Sequence, residues 1–336
     1  MKKVALISGV SGMVGSHLAD FLLENSDWDV HGIARWRSPL DNIQHLIPRV
    51  NSGNRIFFHY ADLNDFVSLD KVLEKVKPNF VFHLAAQSFP KFSFDAANIT
   101  YETNILGTQN ILEACRRHVP EAVIHVCSSS EVFGRVPRKE LPIDENVRFH
   151  PASPYAISKV GTDLIGRFFA EAYGTKTVIT RMFTHTGPRR GDVFAESSFA
   201  KQIAMIENGM IAPKISVGNL DSLRTFADVR DAVRAYYMAV TINPTPGEVF
   251  NVGGTYTCTI GEMLESLINL STLDKRPIIQ VDENRLRSLD ADLQVPDTQK
   301  FRKHTGWSPE IPFEKTMQDL LNYWRDRVAK SPMINR

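Results

Sequence analysis

The stretch that decides the fold is VALISGVSGMVGSHLADFLL, residues 4–23. It opens with Val4–Ser8, a short apolar run of the kind that forms a buried strand. Gly9, Gly12 and Gly15 follow at once as GxxGxxG and lead into an amphipathic helical pattern. Such glycines let the backbone turn tightly and approach a pyrophosphate, which the helix N-terminus attracts. The stretch predicts a dinucleotide-binding strand–turn–helix unit rather than a plain strand-to-helix turn.

Outward from this unit, strands alternate with helices through the first half of the chain. The patterns predict strands over 3–8, 29–34, 55–60, 79–84, 122–127 and 176–181, and helices over 13–25, 66–76, 101–118 and 154–173. The less regular second half predicts helices over 194–209, 229–240, 260–270 and 313–328. Alternation at this spacing favours an α/β fold with a Rossmann-type doubly wound parallel sheet. We expect a Rossmann domain over 1–182 and a smaller C-terminal α/β substrate lobe over 183–330, with some segments returning to the first domain.

The second predicted strand indicates which cofactor the glycine turn binds. An acid that accepts from the adenosine ribose is expected about 20 residues after the glycines. The chain has GIARWRS at 32–38 instead, with Arg35 and Arg37 and no Asp or Glu. Two guanidinium groups suit a 2′-phosphate, so the sequence favours NADP over NAD. The alternative is a pair of solvated loop arginines.

Acid–base chemistry is indicated by SSSE at 128–131 and SPYAISK at 153–159. The serine–proline pair suits an N-cap and a first helical position. Tyr155 and Lys159 lie four residues apart and therefore share one face of that helix. An ammonium near a phenol lowers the phenol pKa from about 10, so we expect Tyr155 to serve as a base near neutral pH. A YxxxK match is weak alone, and it gains weight from the glycine turn.

Composition excludes several other classes of function. The chain has 336 residues and a net charge of +1, so neither a nucleic acid nor an anionic membrane is an expected partner. It has no apolar run of about 18 residues, the length that crosses a bilayer. Because residues 1–10 already form a predicted strand, no cleavable signal is expected. The three cysteines have no metal-ligand spacing, which predicts no metal site and a cytoplasmic location.

Further motifs extend over nearly the whole length: VHGIARWRS, FHYADLNDF, FHLAAQSF, SSSEVFG, SPYAISK, FTHTGPRRG, VGNLDSLRTFADVRDAV and TGWSPEI. On these motifs together the chain resembles the extended short-chain dehydrogenases/reductases. Within them it is most similar to the GDP-mannose 4,6-dehydratases and the related GDP-4-keto-6-deoxymannose reductases. SSSExxG, YxxxK and HTGPRRG in combination are far more specific than any one of them.

The resemblance implies a set of binding residues. Cofactor contacts are implied at Gly9, Ser11, Gly12, Met13, Val14, Gly15, Arg35, Arg37, Asp62, Leu63, Leu84, Ala85, Ala86, Tyr155, Lys159, His185 and Arg190. Substrate contacts are implied at Ser88, Ser129, Glu131, Thr184, Val217, Arg224, Arg287 and Asp290. Arg224 would grip a sugar-nucleotide phosphate, unless it forms a surface ion pair with Asp221 or Asp228.

The resemblance also implies a mechanism and an assembly. Tyr155 would take the C4 hydroxyl proton of a GDP-linked hexose while hydride passes to NADP, and Ser129 would orient the C4 oxygen. Glu131 would remove the C5 proton and protonate the departing C6 hydroxyl, and hydride would return to C6. Ser129, Glu131, Tyr155 and Lys159 are the expected catalytic residues. A homodimer or homotetramer is expected, because the arginine–serine loop packs between subunits in the dehydratases.

Departures from the dehydratase pattern fall mainly where the sugar would bind. Thr184 replaces an asparagine, Ile99 replaces a tyrosine, and the C-terminal substrate motif is reduced at 287–290. Met13 and Val14 stand in the glycine turn where the dehydratases have glutamine and aspartate. These changes leave the cofactor assignment intact and allow an altered sugar, such as a heptose.

Three functions therefore stay open. The first is a GDP-sugar 4,6-dehydratase with recycled NADP. The second is an NADPH-dependent 4-reductase or epimerase of a GDP-4-keto-6-deoxy sugar, which Asn104 favours. The third is a non-catalytic NADP-binding sensor, against which the full set of Ser129, Glu131, Tyr155 and Lys159 argues.

Overall fold

The computed structural model describes residues 2–286, 289 and 291–330, so the predicted site residues Arg287 and Asp290 lie outside the described residues. The strands are β1 (Val4–Ser8), β2 (Asp29–Ala34), β3 (Ile56–Tyr60), β4 (Phe80–His83), β5 (Val123–Cys127), β6 (Lys176–Met182), β7 (His185–Thr186), β8 (Lys214–Val217), β9 (Leu223–Asp228), β10 (Val249–Val252), β11 (Tyr256–Thr259), β12 (Ile278–Val281) and β13 (Leu293–Gln294). The α-helices are α1 (Met13–Asn25), α2 (Ile47–Asn51), α3 (Phe66–Val76), α4 (Pro90–Asp95), α5 (Ala97–Tyr101), α6 (Gly107–His118), α7 (Pro154–Tyr173), α8 (Ala195–Glu207), α9 (Val229–Thr241), α10 (Ile260–Asn269), α11 (Gln299–Thr305) and α12 (Phe313–Lys330).

The main sheet has the strand order β10-β6-β5-β4-β1-β2-β3, and its neighbouring strands pair in parallel. The order reverses between β1 and β4, which is the switch point where doubly wound sheets bind ligands. This arrangement confirms the predicted α/β Rossmann-type fold. The seventh strand, β10, comes from the second half of the chain and was not predicted, because four fully buried residues carry no period of their own.

Alternate side chains of the parallel strands enter two separate cores. Ala5 and Ile7 of β1 pack in a core with α1, α9 and α11, whereas Leu6 packs in the opposite core with α3, α6 and α7. Period-two alternation of the strand therefore buries both faces of the sheet under helices. The helices hold the carboxyl ends of the strands in fixed relation to one another.

One predicted helix differs in the structure from its prediction. The predicted helix over 101–118 begins earlier, at Ala97, and runs from α5 through a π-helical turn, Glu102–Leu106, into α6. Such turns are rare and occur often at functional sites. This one places Asn104 against α7, as described below.

The rest of the second half forms smaller sheets around its own core. Strand β9 pairs with β11, β13 and β7, and β8 pairs with β12. Helices α8, α10 and α12 enclose an apolar cluster beside these strands. Strand β10 and helices α9 and α11 pack on the main sheet instead. The boundary near residue 182 stays a prediction.

Within the described ranges, no helix is both long and apolar enough to cross a membrane.

Candidate active site

The glycine turn after β1 forms a cradle without side chains. Gly9 has a φ of +74°, and a Cβ there would lie 2.9 Å from the Ala85 Cα. A Cβ on Gly15 would lie only 2.3 Å from the Gly9 carbonyl oxygen. Gly12 is the N-cap of α1, so the first amides of that helix face the turn without a capping side chain. This backbone fits a dinucleotide pyrophosphate, which takes hydrogen bonds from such amides.

The residues around the glycines have distinct environments. Met13 is buried at the start of α1, while Ser11 and Val14 are partly exposed at the turn. The Asn42 side-chain amide donates to the Ser11 carbonyl at 3.1 Å. The turn is therefore braced by the segment that follows β2.

Ser8 joins the glycine turn to the loop after β4. Its hydroxyl accepts the backbone N–H groups of Leu84 and Ala85, each at 3.1 Å, and lies 3.0 Å from Nδ1 of His83. These bonds hold Leu84, Ala85 and the partly exposed Ala86 at the switch point between β1 and β4. The predicted lining residues are thus brought to the glycine cradle. Ser8 carries no sequence signal for this role, because the role depends on the pairing of two strands that are distant in the chain.

The predicted adenosine-binding residues follow the carboxyl ends of β2 and β3. Arg35 and Arg37 are exposed in the turn after β2. Asp62 accepts the Asn64 N–H at 3.0 Å, and Leu63 is buried with its carbonyl bonded to the Asn110 side chain at 2.8 Å. The two loops lie side by side because β2 and β3 are paired.

The SSSE segment and α7 converge at the carboxyl end of β5. A 3-10 turn, Ser130–Phe133, follows β5, and the Ser129 hydroxyl caps it by accepting the Glu131 N–H at 3.2 Å. Ser153 caps α7, as predicted, through a 3.0 Å bond from the Ala156 N–H. The Ser129 side chain lies close enough to Tyr155 to lower the Tyr155 pKa. Glu131 lies close enough for its charge to raise the pKa of Tyr155.

The environment of Tyr155 contradicts the expectation of a pKa lowered by Lys159. Burial raises the pKa of Tyr155 above its usual range, and the hydrogen bond with Ser129 and the charge of Arg190 lower it. The Lys159 ammonium instead donates to the Cys127 carbonyl at 2.8 Å, and burial lowers its pKa. Spacing of four residues places both side chains on one face, but desolvation decides the sign of the shift.

Asn104 joins three segments of the site through its side chain. Its carbonyl oxygen accepts the Gln87 N–H at 2.8 Å, and its amide donates to the Gln87 carbonyl at 2.9 Å and to the Ser158 hydroxyl at 2.8 Å. The Asn104 backbone carbonyl also accepts from Thr162 at 2.9 Å. Asn104 therefore ties the loop after β4 to α7, which carries Tyr155. This role of Asn104 is not legible from spacing along the chain, because a π turn leaves no spacing signal.

His185, in β7, and Arg190 both follow β6, and Arg190 lies close enough to Tyr155 for its charge to act there. Burial and the charge of Arg190 lower the pKa of His185 to about 4, so its imidazole is neutral. The Arg190 guanidinium lies 3.4 Å from the Phe194 ring centre and donates to Glu196 at 3.1 Å. Its charge lowers the pKa of Tyr155, so the two predicted cofactor contacts belong to the same cluster as the acid–base residues.

Three of the predicted substrate residues, Ser88, Thr184 and Val217, differ in their exposure and contacts. Ser88 is exposed in the loop after β4. The Thr184 carbonyl accepts the Ala227 N–H at 2.9 Å, which joins the loop after β6 to β9. Val217 has a fully buried side chain in the core of the second half, and its predicted contact with the substrate stays a prediction.

Arg224 is buried on β9. Its Nη1 donates to the Leu223 carbonyl at 3.2 Å. Asp228, one of the two acids considered as its surface partner, is itself buried and binds Arg230 at 2.7 Å. The role of Arg224 on a sugar-nucleotide phosphate stays a prediction.

Comparison with known proteins agrees with this geometry. The GDP-mannose 4,6 dehydratase family matches residues 6–320. GDP-mannose 4,6 dehydratase of Drosophila melanogaster is 31% identical, covering 98% of this chain and 88% of that protein. The enzyme of Vibrio cholerae is also 31% identical, covering 98% and 97%. The structure of RMD from Pseudomonas aeruginosa complexed with NADPH has a TM-score of 0.82 at 28% identity, covering 97% of this chain and 100% of that one. As the motifs indicated, the chain belongs to the GDP-mannose 4,6-dehydratase family of extended short-chain dehydrogenases/reductases.

Proposed function

We propose that this chain is an NADP-dependent lyase that converts a GDP-hexose, either GDP-mannose or a GDP-heptose, into the 4-keto-6-deoxy sugar. The observation that carries the proposal is the position of Glu131. Its backbone N–H donates to Ser129 after β5, and its carboxylate lies close enough to Tyr155 for its charge to raise the Tyr155 pKa, so an acid for C5 and C6 stands near a base for C4. The relatives named as GDP-mannose 4,6-dehydratases support the same reaction.

NADP is the proposed cofactor. The glycine cradle suits the pyrophosphate, and the exposed Arg35 and Arg37 follow β2, the strand after which the adenosine ribose lies in dinucleotide folds. The structural relative RMD was determined with NADPH, which supports the same choice. When bound, the cofactor supplies reversible acceptance of hydride from the sugar.

The side chains of the cluster divide the proton transfers between them. Tyr155 takes the proton of the C4 hydroxyl, and Ser129 hydrogen-bonds the C4 oxygen. Because a ketone at C4 acidifies C5, Glu131 can remove the C5 proton and then protonate the C6 hydroxyl as water leaves. Tyr155 can then return the proton that it took from the C4 hydroxyl to C5 as C6 regains the hydride, which completes the 4-keto-6-deoxy sugar. Each acid–base group contributes about 10²–10⁴-fold. Arg190 favours ionised Tyr155, which burial alone would disfavour.

The test is incubation with GDP-mannose and GDP-heptose without added reduced cofactor, followed by mass spectrometry. A product lighter by one water supports the proposal, whereas unchanged substrates would overturn it. Glu131→Gln should abolish this product. The matched control is Glu140→Gln, which changes an acid in the next 3-10 turn, Arg138–Glu140, and should leave activity unchanged.

A 4-reductase or epimerase of a GDP-4-keto-6-deoxy sugar is the second candidate, and Asn104, which ties the loop after β4 to α7, favours it. A reductase would consume NADPH stoichiometrically and tolerate Glu131→Gln, since it needs no acid at C5. Tyr155→Phe should silence either enzyme. A non-catalytic sensor would keep nearly its full affinity for NADP in Tyr155→Phe.

We also propose a homodimer or homotetramer. Ile157, Leu164 and Phe168 of α7 are exposed apolar side chains at helical spacing, and Ile99 and Leu106 are exposed on the neighbouring long helix. Apolar surface of this kind commonly marks an interface, and a second copy can match it by two-fold symmetry. Analytical ultracentrifugation should show a dimer or larger species that Leu164→Glu dissociates. A monomeric wild-type protein would overturn this part.

A cytoplasmic location completes the proposal, since Cys115, Cys127 and Cys258 are all unpaired, as in reducing compartments.

A further inference from the structure

The turn after β2 presents a tryptophan to solvent. The Ser38 N–H donates to the Arg35 carbonyl at 2.9 Å, and the Arg35 N–H donates to the Ser38 hydroxyl at 3.2 Å. Trp36 and Arg37 occupy the two central positions of this closed turn. Trp36 is 75% exposed, whereas Trp28, Trp307 and Trp324, the other tryptophans of the chain, are at most 5% exposed.

The exposed indole is held in place by a second aromatic side chain. Trp36 packs edge-on against Tyr60 at 4.9 Å between ring centres, with the ring planes at 74°. Tyr60 is the last residue of β3 and pairs in register with Ala34, the last residue of β2. The pair therefore orients the indole while most of its surface stays in water.

This position coincides with the adenosine end of the proposed cofactor site. In a dinucleotide fold the adenosine ribose lies at the end of the second strand. Trp36 follows that end directly, between Arg35 and Arg37, and Asp62 follows β3 two residues after Tyr60. An adenine attached to this ribose would lie beside the Trp36 ring, which stands between the cations Arg35 and Arg37. Bases stack favourably on aromatic side chains, whichever base is presented.

We propose that Trp36 is the adenine-stacking residue of this chain and that the Arg35-Trp36-Arg37 turn recognises 2′-phosphorylated adenosine as one unit. Trp36 supplies the stacking surface, and the two arginines supply the charge for the phosphate. The inference rests on the proposed binding of NADP and goes beyond it by naming the residue that recognises the base.

The wild-type protein provides its own probe, because Trp36 is the tryptophan open to a soluble quencher. Acrylamide should quench its fluorescence, and adenosine 2′,5′-bisphosphate or NADP⁺ should protect it. Nicotinamide mononucleotide, which lacks adenine, should not. If adenosine 2′,5′-bisphosphate leaves the quenching unchanged, the proposal fails. The proposal also fails if raising the protein concentration, without any nucleotide, is what protects Trp36 from acrylamide. The indole would then lie in a contact between subunits.

Calorimetric titration of adenosine 2′,5′-bisphosphate into variants measures the contribution of the ring. Trp36→Ala should weaken binding by about tenfold, within the usual range for loss of a stacked base. Trp36→Phe should stay within about threefold of wild type because it keeps an aromatic face. Leu40→Ala removes an exposed apolar side chain from the same loop and should have no effect.

The outcomes separate this inference from the proposed function. Wild-type affinity in Trp36→Ala overturns the role of Trp36, while dehydration of the GDP-sugar can still be observed. Wild-type protein that binds neither NADP⁺ nor adenosine 2′,5′-bisphosphate overturns both proposals. If Trp36→Ala loses affinity for adenosine 2′,5′-bisphosphate and the wild-type protein turns over no GDP-sugar, the stacking role is supported. That result counts against the proposed reaction alone.

Discussion

Asp163 provides the sharpest test of how the helix that carries Tyr155 is held on the sheet. Its side chain is fully buried on α7, one turn after Lys159. It accepts from Nε and Nη2 of Arg181 on β6 at 2.8 and 3.2 Å, and Arg167 binds it at 2.9 Å. Arg181 is only 3% exposed. The pair therefore joins helix and strand inside the protein.

Asp163→Asn keeps the shape of the side chain but removes its charge, which leaves the Arg181 cation buried without a counter-ion. Breaking a buried pair in this way costs about 3–5 kcal/mol. That is a large part of the roughly 5–15 kcal/mol that stabilises a typical folded chain. Each kcal/mol lowers the Tm by about 2–4 °C in large domains, so we expect a loss of about 10 °C.

Urea unfolding followed by circular dichroism measures this cost. Glu113→Gln is the matched control, because Glu113 also binds two arginines, Arg116 and Arg117, but at the surface. It should cost no more than about 1 kcal/mol. Asp163→Leu combined with Arg181→Met should recover most of the lost stability, since no fully buried charge is then left unpaired and the partly exposed Arg167 can be solvated. Equal costs for Asp163→Asn and Glu113→Gln would refute the reasoning.

Three further outcomes follow from the site. Gly15→Ala should weaken NADP⁺ binding more than tenfold in a calorimetric titration, because its Cβ would overlap the Gly9 carbonyl; Gly174→Ala, where a Cβ meets no atom within 4 Å, should leave binding unchanged. Arg190→Met should raise the pKa of Tyr155 and move the acidic limb of kcat/KM to higher pH, and an unmoved limb would contradict the role of Arg190. Burial, and secondly the charge of Lys159, lowers the pKa of His83 to about 3 in the folded chain. Between pH 6.5 and 3 the imidazole is therefore protonated in the unfolded chain but stays neutral in the folded chain. Unfolding free energy should therefore fall as pH drops from 6.5 towards 3, by up to about 1.4 kcal/mol per pH unit from this group, and His83→Gln should make the fall shallower.

Much of the fold was predictable because its signals are local. The predicted bounds of α1, α3 and α7 agree with the structure, and so does the Ser153 cap of α7. Glycine spacing, helical periodicity and a capping serine each involve residues that are close together in the sequence. They can therefore be recognised without knowledge of the tertiary structure. The parallel sheet then followed from strand–helix alternation.

Features of the site that depend on distant segments were not predictable in this way. Asn104 acts through a π turn that brings it to Gln87 and Ser158. The side chain of Val217 enters a core that forms only when β8 packs against the helices of the second half. No pattern within one segment records which neighbour a folded side chain will meet.

The sequence by itself determined the glycine turn and the order of the first strands, and it supplied the residues proposed for acid–base chemistry, because residue type and spacing carry those signals. The tertiary structure alone decided how those residues behave. It buried Tyr155 and directed Lys159 to the Cys127 carbonyl, which reversed the expected shift of the Tyr155 pKa. It also placed Arg190 near Tyr155 from a loop 35 positions later in the chain (190 − 155). Desolvation and charge proximity depend on three-dimensional packing, and so the reactivity of the site is a property of the fold.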